Sequence, residues 1–275
     1  MAQYCDLHTH SVFSDGTYTP AQTIDKAISL GLSAVALTDH DSIDGLQGFL
    51  EAAKGKPIQA VAGIEFAVVH EGTELHLLGL FLPTNAFPQI GDLMQQVQQR
   101  REDRVYDLVA SLNRAGYTLD FGAIKADAKG QVTRAHVAAA IEQQGYMAAT
   151  TAFRTLLKPG AGHYTSPQRL PFLPTLELIR SVNAVPVLAH PLLNMSPSEL
   201  KKFLPQAKKW GLAGMECIYS AYDDQAIANS FALAESCGLQ PSGGSDFHGD
   251  IRPEAPLGNP RHPIPYEFCQ TLESC

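Results

Sequence analysis

Short apolar runs alternate with amphipathic segments in the first and last thirds of the chain. Residues 4–8, 34–38 and 185–189 have the length and the small or β-branched composition of buried strands. The amphipathic segments carry helix start and stop signals, and the first has Thr19 as its predicted N-cap and Gly31 at its end. This alternation predicts an α/β domain with a mainly parallel sheet.

Further strands and helices continue this rhythm. Residues 74–80 are predicted to pair back onto the preceding strand through a turn at Glu71 and Gly72. The C-terminal stretch from Arg252 is rich in proline and is predicted to wrap the outside of the domain. The other predicted strands are residues 58–62, 65–69, 214–218 and 239–243, and the other helices begin near residues 45, 176 and 196 or end at Gly238.

The pattern changes near residue 90, where helical periodicity continues without intervening strands. Predicted helices cover residues 92–115, 134–144 and a segment around 151–157. This change predicts an α/β domain made of residues 1–89 and 166–275. It also predicts a helical insertion, residues 90–165, which follows the fifth predicted strand and forms the substrate pocket.

Composition narrows the classes of function. The 275 residues carry a formal net charge of −8, which argues against a broad binding surface for duplex DNA. A net negative charge is compatible with a site in which bound cations neutralise carboxylates and then attract an anion. Because the chain has neither a membrane-spanning apolar run nor an apolar leader, a cytoplasmic protein is expected. The five widely spaced cysteines suggest neither a disulfide framework nor a thiolate zinc site.

Histidines and carboxylates recur where apolar runs end. His8 and His10 follow the first predicted strand, and the two-residue period of a strand directs both to the same side. One such histidine is usually a core residue, but the repetition at successive strand ends favours a metal site at the carboxyl edge of a parallel barrel. The other strand ends carry His40, Glu65, His190, Asp246 and His248.

Two more residues extend this set on weaker local evidence. Asp15 lies in the segment Ser14-Asp15-Gly16, where a turn residue is an equally good explanation. His76 lies among leucines, where a core histidine is an equally good explanation. Together these nitrogen and oxygen donors exceed what one cation can use. Without thiolates, they suit manganese, iron, zinc or magnesium.

These motifs resemble the PHP (polymerase and histidinol phosphatase) domain family over nearly the whole chain. The resemblance implies a distorted (β/α)7 barrel of TIM-like form and a metal-dependent phosphoric ester hydrolase with two or three divalent ions. Manganese is the expected ion, with iron, zinc or magnesium as alternatives. The matching segments are residues 6–11, 14–16, 38–41, 189–191 and 244–249, together with Glu65 and His76.

The resemblance also implies roles for individual residues. Glu65, His190 and His248 are the expected catalytic residues, with Glu65 bridging two cations, and a metal-activated hydroxide is expected to attack phosphorus in line. Candidates to orient ligand histidines are Asp6, Asp39 and Asp41. The implied metal ligands are His8, His10, Asp15, His40, Glu65, His76, His190, Asp246 and His248.

The insertion is similar to that of a branch containing nucleoside 3′,5′-bisphosphate phosphatases and 5′-to-3′ exoribonucleases. That branch carries Gly-Arg-Pro-His where this chain has Thr133-Arg134-Ala135-His136. The expected substrate is therefore a small phosphorylated nucleotide or a short 5′-phosphorylated RNA. Its phosphates are expected to contact the insertion residues Arg134, His136, Lys158 and His163.

Other functions share parts of this pattern. A histidinol phosphatase or a generic phosphomonoesterase would have the same metal site and differ only in the insertion. An amidohydrolase also begins with His-x-His on a strand, but the segment Thr38-Asp39-His40-Asp41 fits the PHP pattern better. A metal-binding scaffold beside a polymerase would be expected to lose ligands or to be fused to a larger partner.

Overall fold

The computed structural model describes residues 3–128, 132–158, 160–163 and 168–275. The chain forms two compact units, Met1–Gly91 with Arg169–Cys275, and Asp92–Gln168. The predicted boundary between residues 165 and 166 lies outside the described residues. The first unit carries the sheet and the second carries helices.

Strands and helices alternate along most of the first unit. The strands are β1 Tyr4–Asp6, β2 Ala34–Leu37, β3 Gln59–His70, β4 Thr73–Leu80, β5 Leu170–Pro171, β6 Val185–Ala189, β7 Gly214–Tyr219, β8 Gln240–Gly244 and β9 Ile264–Pro265. The helices are α1 Pro20–Ser29, α2 Leu46–Ala53, α7 Phe172–Ser181, α8 Pro197–Trp210, α9 Asp224–Cys237 and α10 Tyr266–Glu273.

The sheet runs in the order β8-β7-β6-β4-β3-β2-β1-β9, and β5 pairs with β3. Backbone hydrogen bonds also join the residues after β1 to those that end and follow β8. The Leu7 N–H donates to the Gly243 carbonyl at 3.2 Å, and the Asp246 N–H donates to the His8 carbonyl at 3.0 Å. The seven strands between β1 and β8 therefore close almost completely. The predicted distorted (β/α)7 barrel is confirmed.

The hairpin of β3 and β4 causes the distortion. β4 pairs antiparallel with both β3 and β6, whereas β1, β2 and β3, and likewise β6, β7 and β8, pair in parallel. An antiparallel strand begins at the edge where its neighbours end. Residues early in β4, such as His76, therefore lie at the carboxyl edge of the barrel, where active sites of such barrels gather.

One predicted strand boundary was wrong. Residues 58–62 and 65–69 form a single strand, because the chain stays extended through Gly63 while its pairing changes. Gln59 to Ala62 pair with β2, and Gly63 to His70 pair with β4. The helical segment consequently follows the fourth strand of the chain, not the fifth.

Local signals explain where several helices begin. Thr19 is the N-cap of α1, as predicted: its hydroxyl accepts the Gln22 N–H while the Gln22 side chain accepts the Thr19 N–H, which forms a capping box. Ser196 and Glu199 make the same pair of bonds at the start of α8. A cap of this kind stabilises a helix by about 1 kcal/mol. The apolar face of α1, which includes Ile24 and Ala27, is buried.

The C-terminal stretch was predicted incorrectly as an outer wrapping. Ile264 pairs with Cys5 of the first strand, and α10 buries Cys269 and Leu272 in the core of the barrel unit. Composition misled here because proline breaks regular structure locally but does not prevent a short edge strand.

The second unit consists of helices packed around their own core. The helices are α3 Phe87–Arg114, which begins in the first unit, α4 Phe121–Asp127, α5 Arg134–Gln143 and α6 Ala149–Thr155. Their shared buried cluster includes Leu108, Leu112, Val137, Ile141 and Leu157. Among the described residues, no helix combines the length and apolarity needed to cross a membrane.

Candidate active site

Glu65 lies at the centre of a group of imidazoles at the carboxyl edge of the barrel. Its Oε2 is 2.8 Å from His40 Nδ1, 3.2 Å from His8 Nε2 and 3.3 Å from His10 Nε2. Its Oε1 is 2.7 Å from His76 Nδ1 and 3.1 Å from His190 Nε2. One fully buried carboxylate therefore contacts side chains that come from five separate points of the chain.

Among the residues that the structure describes, donor atoms form three overlapping groups, each compact enough to hold a cation. The first group contains His8, His10, Glu65 and Asp246; the second contains His40, Glu65 and His76; the third contains His10, Asp15, His40 and His248. Within each group the donor atoms lie within 4.8 Å of one another. His190 joins them through its contact with Glu65. The structure thus brings all nine predicted ligands together.

Asp246 connects this cluster to two further side chains. Its Oδ1 lies 3.0 Å from His10 Nε2, while its Oδ2 accepts hydrogen bonds from the Tyr219 hydroxyl at 2.9 Å and from Arg252 at 3.0 Å. A cavity of about 580 Å³ opens at this point. Its lining residues are His40, Thr73, Glu74, His76, His190, Leu193, Asn194, Tyr219, Asp246 and Arg252.

The sequence pattern of the PHP domain matches residues 6–160 of this chain. The chain belongs to the PHP domain family. The match includes the barrel residues His8 to His76 and continues into the helical unit, while His190, Asp246 and His248 follow it in the barrel.

Curated relatives extend the PHP assignment over most of the chain. A 5′–3′ exoribonuclease from Haemophilus influenzae is 32% identical over 253 residues, which cover 90% of this chain and 91% of the relative. A 3′,5′-nucleoside bisphosphate phosphatase from Chromobacterium violaceum is 32% identical over 250 residues, which cover 88% of this chain and 86% of the relative.

Solved structures agree with the PHP fold. An amidohydrolase from Chromobacterium violaceum, solved with sulfate and without metal, has a TM-score of 0.78 at 27% identity and covers 98% of this chain and 96% of its own. A protein from Bifidobacterium adolescentis described as a metal-dependent phosphoesterase has a TM-score of 0.77 at 25% identity, with coverages of 99% and 96%. This PHP protein is accordingly a metal-dependent phosphoric ester hydrolase.

The residues of the PHP site fit divalent cations. Glu65 Oε2 and His248 Nε2 are buried and make no well-formed hydrogen bond to any residue that the structure describes. His8 Nε2 and His10 Nε2 lie 3.1 Å apart. Such converging ring nitrogens and unsatisfied polar atoms are costly to bury unless a cation shares them. Imidazole and carboxylate donors without thiolate suit the divalent ions predicted from the sequence.

Buried charge shifts the pKa values in this cluster. Burial lowers the pKa of His8, but Glu216, Glu65 and Asp246 outweigh it and raise the pKa well above its usual range. Burial also lowers the pKa of His10, but Asp246 and Glu65 outweigh this effect and raise the pKa to about 9. For His76, burial lowers the pKa, but Glu65 outweighs this effect and the pKa rises to about 10. The cluster therefore requires positive charge, supplied either by protons or by metal ions.

Glu216 is a site residue that the sequence analysis missed. It is fully buried in β7, and its Oε1 lies 2.9 Å from His8 Nδ1. Its Oε2 accepts the backbone N–H of His190 at 2.6 Å. His190 has a positive φ of 26°, a strained conformation for a residue other than glycine, and this hydrogen bond holds it there. A carboxylate inside a predicted buried strand was the available signal, because such a group requires a partner.

The aspartates predicted to orient histidines have different contacts. Asp6 accepts the backbone N–H groups of His8, Ser245 and Gly258 and the Ser245 hydroxyl. Asp39 accepts from the backbone and hydroxyl of Ser11 and from the Ser14 hydroxyl. Asp41 accepts the Ala67 N–H. These contacts hold the strand ends and loops, while contacts with the second nitrogen of ligand imidazoles include Glu216 at His8 Nδ1 and the Asp246 carbonyl at His248 Nδ1.

The four predicted substrate residues lie in the helical unit. Arg134 donates to the Leu157 carbonyl at 2.9 Å and stacks on Phe153. His136 caps helix α5 by accepting the Thr133 N–H at 3.0 Å. The other two are His163, whose Nδ1 lies 2.9 Å from the Ser111 hydroxyl, and Lys158, which is exposed. Arg134 and His136 therefore have structural roles, and contact of these four residues with substrate remains a prediction.

Replacing Glu216 with Gln should weaken metal binding by about 10- to 100-fold, the usual cost of losing an outer partner of a ligand histidine. The amide keeps the volume but no longer offers two acceptor oxygens to His8 and the His190 N–H. The measurement is a titration with manganese. Glu235→Gln removes the same charge from an exposed position of α9 and should leave the affinity unchanged. Equal affinity of Glu216→Gln and wild type would contradict this role.

Replacing Gly244 with Ala should distort the site. A Cβ at this position would collide with the Cβ of His8 and would lie only 2.8 Å from Glu216 Oε1 and 2.9 Å from the His8 N atom. We expect the free energy of unfolding to fall by about 1–3 kcal/mol, the usual cost of overpacking, in denaturant melts. Gly48→Ala is the matched control. Open space surrounds Gly48 in α2, so that change should stabilise the protein by about 0.5–1 kcal/mol.

Proposed function

We propose that this PHP protein hydrolyses phosphate esters of nucleotides. The substrates are nucleoside 3′,5′-bisphosphates, from which it removes the 3′-phosphate, short 5′-phosphorylated RNA, which it degrades in the 5′-to-3′ direction, or both. The observation that carries the proposal is the cavity of about 580 Å³ that opens directly on His40, His76, His190 and Asp246. Its volume lies in the range of sites for small ligands. The activities named for the two curated relatives point to nucleotides.

Side chains of the barrel position the predicted metal ligands. Glu65 draws five imidazoles toward one point, and Glu216 holds His8 by Nδ1 so that Nε2 faces that point. Two or three divalent cations, manganese first among them, would be held by the nine predicted ligands and would activate a water and polarise the phosphoryl oxygens. The almost complete burial of His8, His10 and Glu65 keeps competing water away from the ligand atoms.

The helical insertion is proposed to select the substrate. Arg134 presents a planar guanidinium that suits phosphate oxygens, and His136, Lys158 and His163 are further candidates within the same unit. A second phosphate contact in addition to the metal centre would favour substrates with two phosphates or a phosphodiester. Histidinol phosphate and simple phosphomonoesters are the alternative substrates, because they require the same metal centre and no second contact.

The test is phosphate release by the manganese-loaded protein. Adenosine 3′,5′-bisphosphate, AMP, a 5′-phosphorylated RNA oligonucleotide and histidinol phosphate are compared at equal concentration, beside metal-stripped protein. Preference for the bisphosphate or the RNA supports the proposal. Preference for histidinol phosphate favours the alternative, and absence of metal-dependent turnover on all four contradicts the substrate class.

The variant Arg134→Ala tests the contribution of the insertion separately from that of the metal centre. We expect kcat/KM for the bisphosphate to fall by about 10- to 100-fold, the loss expected for a charge-assisted hydrogen bond worth about 1.5–3 kcal/mol. Turnover of p-nitrophenyl phosphate, which has a single phosphoryl group, should change little. Equal losses on both substrates would contradict the role given to Arg134.

A further inference from the structure

Arg252 lies on the wall of the metal-site cavity, six residues after Asp246 in the chain. The intervening residues include the short 3-10 helix Gly249–Ile251. Gly249 has a φ of 78°, and the Asp250 N–H donates to the Thr17 hydroxyl at 3.0 Å. Beyond this turn, Arg252 contacts the side chain of Asp246.

The two oxygens of Asp246 have different partners. Oδ1 faces the imidazoles of His8 and His10 at 3.5 and 3.0 Å. Oδ2 already accepts a hydrogen bond from the Tyr219 hydroxyl at 2.9 Å, and Arg252 is its second donor. The neutral Tyr219 hydroxyl therefore already gives Oδ2 a hydrogen bond, and Asp246 does not need a guanidinium for this alone.

Most of the hydrogen-bonding capacity of Arg252 remains available. A guanidinium carries five N–H donors, and the Arg252 group gives one hydrogen bond, to Asp246, within the part of the chain that the structure describes. Its side chain is 39% exposed, and it is the arginine among the residues that line the cavity. A positive fork with unused donors beside a metal cluster is complementary to the oxygens of a phosphoryl group.

We propose that Arg252 binds the phosphoryl group that undergoes hydrolysis, donating to a non-bridging oxygen while its NH1 stays on Asp246. This inference rests on the proposed function only in requiring a substrate with a phosphoryl group. It assigns the contact to the barrel itself, independently of the insertion residues. As negative charge develops on the phosphoryl oxygens in the transition state, a fixed guanidinium stabilises that charge.

The experiment compares Arg252→Gln and Arg252→Lys with wild type in three measurements on the full chain. The first is manganese affinity, by titration against a chelating dye. The second is binding of inorganic phosphate to the manganese-loaded protein, by calorimetry. The third is kcat/KM for p-nitrophenyl phosphate. Arg261→Gln removes the same charge from an exposed position of the same C-terminal segment and serves as the charge control.

In Arg252→Gln we expect phosphate to bind at least about tenfold more weakly and kcat/KM to fall by about 100-fold, the range for losing one preorganised donor. Manganese affinity should change less than threefold. Arg252→Lys should recover part of the phosphate affinity, because it restores the charge without the fork. Arg261→Gln should behave as wild type.

Tyr219→Phe decides between substrate binding and support of Asp246. If Arg252 acts only by holding Asp246, Arg252→Gln and Tyr219→Phe should both weaken manganese binding, and phosphate affinity of the loaded protein should be unchanged in both. That result would overturn the proposal. If wild type binds phosphate in an Arg252-dependent manner but turns over none of the nucleotide substrates, the substrate proposal fails while this one stands.

Discussion

Glu65→Gln should reduce kcat/KM by at least about 1,000-fold, equivalent to about 4 kcal/mol of transition-state stabilisation. Glu65 belongs to two of the three donor groups, and its two oxygens lie within 3.3 Å of five imidazoles. An amide has the same shape but carries no charge, and its NH2 group would face nitrogens or cations where an anion is required. Both the number of bound ions and their positions should therefore change.

Metal content by elemental analysis, kcat/KM on p-nitrophenyl phosphate and the melting temperature should be measured together on Glu65→Gln. Glu71→Gln is the matched control, because Glu71 lies exposed at the turn that follows the same strand. It should retain full activity and metal content. A folded Glu65→Gln variant with a full complement of metal and turnover within tenfold of wild type would remove Glu65 from the centre of the mechanism.

Local patterns predicted the elements that depend on local physics. Strand β6 has the predicted bounds, Val185–Ala189. Thr19 is the N-cap of α1 as predicted, and α8 begins beside Ser196, where a helix start was predicted. Side-chain hydrogen bonds within one turn and continuous apolar runs are properties of the sequence itself. The convergence of seven candidate ligands also follows from their places at strand ends, which meet at one edge. The other two, Asp15 in a turn and His76 on the antiparallel β4, had weaker local evidence.

Features that depend on pairing between distant segments were harder to predict. Two strands were predicted at residues 58–62 and 65–69, but β3 continues through Gly63 because it pairs with β4 where its pairing with β2 ends. Glu216 reaches the site by contacting His8, which is 208 positions away, and this contact forms only when the barrel closes. Arg252 lies only six positions from Asp246, but their contact depends on the short turn between them, which has no sequence period.

Metal binding should release protons and should therefore strengthen as the pH rises. In the absence of a cation, the neighbouring carboxylates keep His10 and His76 protonated up to pKa values of about 9 and about 10, and they raise the pKa of His8 well above its usual range. An imidazole must lose its proton to bind a metal ion. Each proton displaced makes the apparent affinity about tenfold stronger per pH unit while the pH is below these pKa values.

Between pH 6 and pH 8, manganese affinity should consequently increase at least about 100-fold if one proton is released, and more if several are. Burial lowers the pKa of His40, so we expect this residue to contribute less to proton release than His10 and His76. Calorimetric titrations in two buffers with different ionisation enthalpies count the protons directly.

His76→Gln should reduce the number of released protons by about one, because it removes one imidazole that must be deprotonated. His70→Gln is the control. The His70 ring packs against Phe172, Phe203 and Trp210, so this change should leave the number of released protons unchanged. Binding without proton release and with a flat pH profile would mean that the carboxylates of the cluster do not hold these imidazoles charged.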